Sequence, residues 1–451
     1  MIRKYLENHN YLLPHKEWYA QLNIFLDWYK GCVKSFHDYK VHTSQRTHTA
    51  TRYQMGFAKT ICEDFASLLI NEKMQIVATG FDDLPDILES NDFYQRANRL
   101  VELTFALGSG AFVEYLDGEG NPTIDFIRGD LIYPLRWDGD KILDCAFASK
   151  KSDGYYLQVH ERVEGGYQFR NIWLNEKGEE QTPPNGIEVF SPISPIPLFQ
   201  IIRPSLVNNI DLNCPMGISV FGNALEQLKA LDIVYDSYIN EFTLGKKRLL
   251  VPQGMQTTLL QENGTIKPLF DPSDTLIYCY QADENSKDSI KELDFSIRAE
   301  EHEQALQRCL DLLSKKCGLG TGRYNFENNG TRADKKTATE VISEKSDLFQ
   351  SLKRHEKNLE QALIGLIKAL HWLAGKTNET DVTIQFDDSI FEDSGTIAER
   401  NILLVQSGLR SKVHAIMKID GVNEQTAMER LRKIEQEEAG TFETNLHNHE
   451  H

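Results

Sequence analysis

The sequence lacks any apolar run close to the roughly 20 residues that a membrane-spanning helix needs. Its first residues, MIRKYLENHNYLL, have no continuous apolar core and no small-residue cleavage site, so they do not resemble a secretory signal peptide. Internal repeats and low-complexity tracts are also missing. Hydrophobic residues make up 40% of the 451 residues and charged residues 26%, which argues against global disorder and favours more than one domain.

Cysteine is scarce, and its spacing follows no metal-binding pattern. The seven cysteines include no CxxC pair, so they are expected to be free, buried thiols in a reducing cytoplasm. Cys309 and Cys317 lie on a predicted apolar helix face and are interpreted as core thiols. His447, His449 and His451 are interpreted as part of a solvated tail, because nothing nearby would hold them as metal ligands. No metal or other cofactor is expected.

Recognisable catalytic motifs are missing as well. The segment GLGTGR at 318–323 departs from the phosphate-binding pattern GxxxxGK[ST] and follows a predicted helix, where a strand would be needed. Neither HExxH nor GxSxG occurs. The acidic pairs Asp387–Asp388 and Glu392–Asp393 would need a pocket that separates their pKa values, and nothing in the sequence indicates one. We therefore expect no enzyme activity.

Positive charge is in deficit, with a net charge of -18. A conventional duplex-binding protein gains affinity by neutralising phosphates with Lys and Arg, and this chain as a whole repels them. Either the protein does not touch nucleic acid, or it touches it without holding it.

The first half of the chain mixes helices with short strands. Apolar residues recur at helical spacing over 16–29, 55–71 and 92–107. From about residue 110 to 174 the period changes to two, and Gly-rich turns separate the runs, which predicts a strand meander.

Two long helices are predicted to bracket a small strand insert in the second half. The first covers 219–244, with Ser219 as a plausible N-cap and Gly245 as the stop. A basic cluster, Lys246, Lys247 and Arg248, follows, and RLLVP and TLIYCY predict short strands. The second helix covers 297–317 and is expected to end at Gly318 in a left-handed conformation.

A long loop at 318–336 follows and has little apolar content. Its four basic residues outnumber Glu327 and Asp334 and are Arg323, Arg332, Lys335 and Lys336. A functional loop and a solvated loop of chance charge both explain this pattern. A long helix is predicted over 337–374, a strand over 382–391, and two or three polar helices over 396–438.

Three segments carry a resemblance to a known family. They are PMGISVFGNALEQLKALDIVYDSYINEFTLGKKRLLVP at 215–252, KKTATEVISEKSDLFQSLKRHEKNLEQALIGLI at 335–367 and ICEDFASLLINEKMQI at 61–76. These segments, and their order, resemble portal proteins of siphophages from Gram-positive hosts. The resemblance extends over about residues 50 to 435.

The resemblance implies an α+β portal fold with long helices, a strand-containing wing and a small β-containing clip. Its regions are expected at 1–215 (wing), 216–244 (stem helix one), 245–294 (clip), 295–317 (stem helix two), 318–336 (tunnel loop), 337–393 (long tunnel helix and returning wing strand) and 394–451 (crown and tail). In such a ring the apolar stripes of the two stem helices are expected to pack against neighbouring copies.

The implied function is a homododecameric conduit at one capsid vertex for DNA packaging and ejection. Expected DNA-facing residues are Arg323, Asn328, Asn329, Arg332, Lys335 and Lys336, and the basic cluster at the clip entrance is Lys246, Lys247 and Arg248. Expected partners are further copies of the chain, the terminase large subunit, head-completion or adaptor proteins, major capsid and scaffolding proteins, and double-stranded DNA without sequence specificity. No membrane partner is expected.

The implied location is the virion, after assembly in the host cytoplasm. Two alternatives stay open from the sequence: a soluble multidomain α/β enzyme, and another capsid-associated minor head protein.

Overall fold

The computed structural model describes residues 1–42, 46–151, 154–182, 189–245, 248–252, 258–260, 266–268, 277–280, 290–293, 296–325, 346–387, 401–420, 426–434 and 436. Its helices are α1 (Ile2–Asn8), α2 (Lys16–Tyr29), α3 (Lys34–His37), α4 (Phe57–Leu69), α5 (Leu84–Ser90), α6 (Phe93–Leu107), α7 (Leu225–Leu244), α8 (Ala299–Lys316), α9 (Ser346–Leu373) and α10 (Lys412–Asp420). Residues 401–406 and 426–434 are also helical.

The strands are β1 (Asp38–His42), β2 (Thr47–Thr51), β3 (Gln75–Ala78), β4 (Gly110–Leu116), β5 (Pro122–Arg128), β6 (Ile132–Asp138), β7 (Lys141–Lys151), β8 (Gly154–Val163), β9 (Gly166–Asn175), β10 (Glu180–Gln181), β11 (Phe199–Ile202), β12 (Arg248–Pro252), β13 (Thr258–Leu260), β14 (Ile266–Pro268), β15 (Ile277–Tyr280), β16 (Lys291–Leu293) and β17 (Val382–Gln385). The expected α+β class is confirmed, because long helices accompany several small, mainly antiparallel sheets.

The main core lies where α2, α4 and α6 pack together and α9 crosses them. Each of these helices has an apolar face, and burial of that face, rather than intrinsic helix propensity, stabilises it. The helix α6 ends at Gly108, whose φ is +83°. A Cβ there would lie 2.4 Å from the carbonyl oxygen of Gly217, so this close crossing of two chain segments requires glycine.

The predicted strand meander is confirmed, but it forms two sheets instead of one. Strands β6 to β10 form a five-stranded antiparallel sheet in consecutive order, whereas β4 and β5 join β11 in a separate three-stranded sheet. The predicted strand at 382–391 is described as β17 over its first residues, and 388–391 lie outside the described residues. Strand β17 pairs antiparallel with β3, so the C-terminal half returns to the N-terminal half.

Helices α7 and α8 lie side by side, with the strand insert between them in the sequence. Strand β12 follows α7 and pairs antiparallel with β16, the strand that precedes α8. Strand β12 also pairs parallel with β15. The side chains of Ser237 and His302 lie 3.2 Å apart across the helix pair, and Arg298 Nε donates to Glu241 Oε1 at 2.9 Å. The predicted bracket of two helices around a small strand insert is therefore present.

The start of the first bracketing helix was predicted wrongly. Ser219 does not cap α7, which begins at Leu225 after a short 3-10 turn at Gly222–Ala224. Instead, the Ser219 hydroxyl donates to the carbonyl oxygen of Phe105 at 3.2 Å, and the backbone N–H of Val220 donates to the same oxygen. These bonds hold the segment in a non-helical path along the end of α6.

The expectation that the apolar stripes of the two stem helices pack against neighbouring copies also needs correction. Five leucines of α7 and α8 are buried within the single chain, namely Leu228, Leu231, Leu306, Leu310 and Leu313. They join the main core, because the inner ends of both helices pack against it. Fewer large apolar side chains are left exposed on these helices, and they include Ile233 and Leu312, which are 49% and 62% exposed.

Helix α9 is described over 28 residues, which corresponds to about 42 Å. Its predicted start near residue 337 stays a prediction, since 326–345 lie outside the described residues. His355 packs edge-on against the rings of Phe65 and Phe105, and its Nδ1 accepts the backbone N–H of Ser205 at 2.9 Å. Burial lowers the pKa of His355 to about 3, so α9 presents a neutral imidazole to the core.

Candidate functional site

The described part of the predicted tunnel loop begins directly at the end of α8. Gly318, Gly320 and Gly322 all have positive φ, so the chain turns sharply after the helix, as predicted for Gly318. A Cβ at Gly318 would lie 2.6 Å from the hydroxyl oxygen of Ser351 on α9. The end of α8 is thus packed closely against α9.

The first residues of this loop are fastened to α4 by the carboxylate of Asp64. Tyr324 donates its hydroxyl to Asp64 Oδ2 at 2.7 Å, and Arg323 Nε lies 3.3 Å from the same oxygen. The Tyr324 ring packs edge-on against Phe57, with ring centroids 5.0 Å apart, and Gln307 on α8 donates to the Tyr324 carbonyl oxygen at 3.0 Å. Burial, followed by the hydrogen bond to Asp64, raises the pKa of the Tyr324 hydroxyl.

The predicted DNA-facing residues divide into one described and five undescribed positions. Arg323 is 32% exposed and is ion-paired with Asp64, so part of its charge is neutralised within the chain. Its contact with DNA stays a prediction. The other residues predicted to face DNA lie outside the described residues: Asn328, Asn329, Arg332, Lys335 and Lys336.

The predicted clip entrance is described at only one of its three positions. Arg248 begins β12 and is opposite Leu293 of β16 in the antiparallel register. Lys246 and Lys247 lie outside the described residues. The backbone position of Arg248 therefore fits the expected junction between the first bracketing helix and the strands.

The sequence reasoning missed a second structured contact on α7. Asp232 Oδ2 lies 3.1 Å from His37 Nε2, and its Oδ1 accepts the backbone N–H of Met55 at 2.9 Å. One turn later, Asp236 Oδ1 accepts the backbone N–H of Tyr53 at 3.0 Å. Burial raises the pKa of Asp232, while the bonds from Met55 and His37 act in the opposite direction. The only signal in the sequence was a pair of aspartates at i and i+4.

These bonds fasten the base of a β-hairpin to α7. The hairpin consists of β1 and β2, and Arg52 at its end lies over the rings of Phe36 and Tyr39 at 4.9 and 4.5 Å. We call the paired strands β1 and β2 the stem hairpin. These two strands could not be predicted from the sequence, because the segment is rich in Thr, His and Lys and contains no apolar run.

The described cavities do not provide the paired carboxylates that an acid–base enzyme would need. A cavity of about 640 Å³ has mainly aromatic walls, including Tyr156, Phe169 and Trp372, and its single carboxylate is Asp117. Asp117 accepts backbone N–H groups of its own turn, from Glu119 and Asn121. A second cavity of about 520 Å³ also has a single carboxylate, from Asp140.

The acidic pairs weighed as catalytic candidates are described only at Asp387. Its carboxylate accepts the Asn71 amide at 3.3 Å and lies 3.7 Å from Lys73 Nζ, which is a contact that stabilises the fold. Asp388, Glu392 and Asp393 lie outside the described residues. Within the described ranges, no three His, Cys, Asp or Glu side chains converge as metal ligands, and no helix is both long and apolar enough to cross a bilayer.

Comparison with known proteins gives one extensive match. The family model described as phage portal protein, SPP1 Gp6-like, matches residues 8–441. No curated protein sequence matches the chain.

Solved structures show a weak likeness to particles of a gene transfer agent (GTA). The neck of the native particle, computed with C12 symmetry, is 11% identical, covers 81% of this chain and 89% of that chain, and has a TM-score of 0.39. For the virion of the native particle the identity is 11%, the coverage is again 81% and 89%, and the TM-score is 0.37. The neck of the empty particle, computed with C6 symmetry, is 12% identical over the same shares, with a TM-score of 0.36. TM-scores this low do not establish a common fold.

Proposed function

Because the chain belongs to the SPP1 Gp6-like phage portal protein family, we propose that it assembles into a dodecameric ring at one capsid vertex. The family is one of structural proteins, and the role of the chain is that of a portal protein in a phage particle. The match covers nearly the whole chain, including the segments that we assign to wing, stem, clip and crown. The type of phage, a siphophage of a Gram-positive host, stays a prediction.

The observation that carries the ring proposal is the pairing of α7 and α8 around the strand insert. Their inner ends are buried in the core of the chain, and single apolar side chains remain exposed on other faces of the same helices, at Ile233 on α7 and Leu312 on α8. A helix pair that is buried on one side and carries single exposed apolar residues on its flanks is suited to pack side by side with the same helix pair of neighbouring subunits. We assign this helix pair to the stem and β12–β16 to the clip.

We propose that DNA passes through the ring with little adhesion to it. A net charge of -18 repels phosphates, so a duplex slides past the protein instead of being held by it. A few cations on the tunnel loop, Arg332, Lys335 and Lys336, would guide the DNA backbone without reading its sequence. Asn328 and Asn329 belong to the same loop, and the role of Arg323 depends on its pairing with Asp64.

The proposed partners follow from the conduit role. The clip, with Lys246, Lys247 and Arg248 at its base, would meet the terminase large subunit during packaging and head-completion proteins afterwards. The terminase would supply the ATP-driven work, and the portal itself would catalyse no reaction. Major capsid and scaffolding proteins would surround the ring, which would assemble in the host cytoplasm.

Electron microscopy of the purified full-length chain tests the assembly directly. We expect negative-stain class averages along the ring axis to show twelve subunits around a central channel. Compact monomers alone at high protein concentration, including on co-expression with capsid components, would contradict the proposal.

A packaging assay tests the conduit. Replacing Arg332, Lys335 and Lys336 with Gln should leave ring assembly intact and lower the yield of packaged DNA. A matched control replaces three exposed lysines elsewhere, Lys4, Lys16 and Lys177, with Gln and should package normally. An unchanged yield in the loop variant would refute the proposed contact with DNA.

A further inference from the structure

The stem hairpin is an exposed element whose strands, among the described residues, pair only with each other. Most residues of β1 and β2 are exposed, including Lys40 and His48. The sequence from 38 to 51 contains two Lys or Arg against one Asp, together with His42 and His48, in a chain that is strongly acidic overall. That acid, Asp38, accepts a hydrogen bond from the Thr51 hydroxyl within the hairpin at 2.8 Å. The hairpin is thus a basic projection on an acidic protein.

The base of the hairpin is fixed, so the direction of the projection is fixed too. Asp232 and Asp236 on α7 hold the backbone N–H groups of Met55 and Tyr53, and His37 contacts Asp232 from the other end of the hairpin. A helix-bound carboxylate pair that accepts backbone N–H groups restrains both position and orientation.

The hairpin and α8 occupy opposite faces of α7. The α7 residues that contact α8 are Ser237, Tyr238 and Glu241, through His302 and Arg298. At about 100° per residue, these positions lie about 100° to 180° around α7 from Asp232 and Asp236. The order across the stem is therefore hairpin, α7, α8.

The far side of the stem carries the opposite charge. Glu300, Glu301 and Glu303 in the first turns of α8 are exposed. Glu300 lies about 200° and Glu301 about 100° around the helix from His302, which faces α7, so neither side chain points towards α7. The nearby cation Arg298 is paired with Glu241. One flank of each stem is thus basic and the other acidic.

We infer that the stem hairpin of one subunit docks on the first turns of α8 of the next subunit around the ring. This inference rests on the proposed ring, because a closed ring joins opposite flanks of identical chains by a heterologous contact. Complementary charge on those flanks sets the partner and the register. A five-residue strand spans about 17 Å, which exceeds the roughly 10 Å diameter of a helix, so the hairpin is long enough to bridge neighbouring stems.

A charge swap tests this contact in the full-length chain. Lys40→Glu should weaken each interface roughly fivefold at low salt, as expected for loss of an exposed ion pair, and lower the ring fraction in sedimentation velocity. Adding Glu301→Lys should restore the ring fraction, which a purely structural defect would not allow. Lys16→Glu on α2 is the matched control and should assemble normally.

The swap has outcomes that overturn the inference. An unchanged ring fraction in Lys40→Glu, or a loss that Glu301→Lys does not rescue, would refute docking on α8. Intact rings that lose only DNA retention would assign the hairpin to nucleic acid instead of a second copy of the chain.

Crosslinking separates the hairpin contact from the ring itself. In a Cys32→Ser background, which removes the one exposed thiol among the six cysteines whose side chains are described, His48→Cys with Glu301→Cys and a short bis-maleimide should give a ladder of covalent oligomers. The Cys32→Ser background alone is the control for reaction at other native thiols. His48→Cys with Glu226→Cys, at an exposed position in the first turn of α7, should give none. Rings without a ladder would refute the docking and leave the proposed function standing, whereas absence of rings in the wild type would refute the proposed function.

Discussion

Two leucines on α8 that are two residues apart should respond oppositely to replacement by alanine. Leu310 is fully buried within the chain, whereas Leu312 is 62% exposed on the flank of the stem. Leu310→Ala should destabilise the isolated subunit, and Leu312→Ala should spare the subunit and weaken the ring. The pair therefore separates folding from assembly at nearly the same place.

The magnitudes follow from the burial of each side chain. Truncating a buried leucine removes its transfer free energy and leaves a cavity, so Leu310→Ala should lower the free energy of unfolding by about 3 kcal/mol. An exposed leucine contributes little to the isolated subunit, and Leu312→Ala should change its stability by less than about 0.5 kcal/mol. If a neighbour covers the exposed part of Leu312, its loss should cost about 1 to 2 kcal/mol per interface.

Urea unfolding of the subunit, at concentrations below those of assembly, measures the first quantity for both variants. Sedimentation velocity over a range of concentrations measures the second. The reasoning fails if Leu312→Ala lowers the unfolding midpoint as much as Leu310→Ala does, or if it leaves ring assembly unchanged.

Three further predictions follow from single contacts. Glu114 is fully buried and its pKa is raised well above 4.5, so the folded state keeps a proton that the unfolded state releases. Relative to Glu114→Gln, the wild type should lose about 1.4 kcal/mol of stability per pH unit above 4.5. Urea unfolding measured at several pH values gives both slopes, and equal slopes would contradict this. Asp64→Asn should release Arg323 and raise DNA retention by the ring at low salt, whereas unchanged retention would argue against any role of Arg323 at DNA. Asp232→Ala leaves the Met55 N–H without its acceptor and should lower the unfolding free energy by about 1 to 3 kcal/mol, measured against Asp27→Ala on the exposed face of α2.

Local patterns in the sequence predicted much of the fold. Helix α2 begins and ends at the predicted residues, because its apolar residues repeat at helical spacing and all face the same core. Gly318 follows α8 in the predicted left-handed conformation, and the chain turns sharply there. The six cysteines whose side chains are described are all free thiols, and four of them are buried as expected. Cys32 is exposed and Cys309 is only partly buried, so the expectation of buried thiols was wrong for Cys32 and holds only in part for Cys309.

Features fixed by distant residues could not be predicted in this way. Ser219 has the sequence of a helix cap, yet its hydroxyl is used by Phe105, which is 114 residues away. The family resemblance implied that Arg323 faces DNA, but no local pattern indicated its partner Asp64, which is 259 residues away. Glu114 lies in the alternating run AFVEYL, and period two alone does not show that both faces of β4 are buried.

The ion pair between Arg323 and Asp64 shows how the positive charge of this protein is used. A channel that must release DNA gains nothing from strong cation–phosphate contacts, because each one adds to affinity and slows sliding. In the described part of the loop, the cation is shared with Asp64, and at the start of α8 Arg298 is held by Glu241. Both contacts use positive charge to join segments of the chain to each other. The acidic excess that remains then suits a conduit better than a clamp, and it makes opposite charges on the flanks of each stem the natural means of joining one subunit to the next.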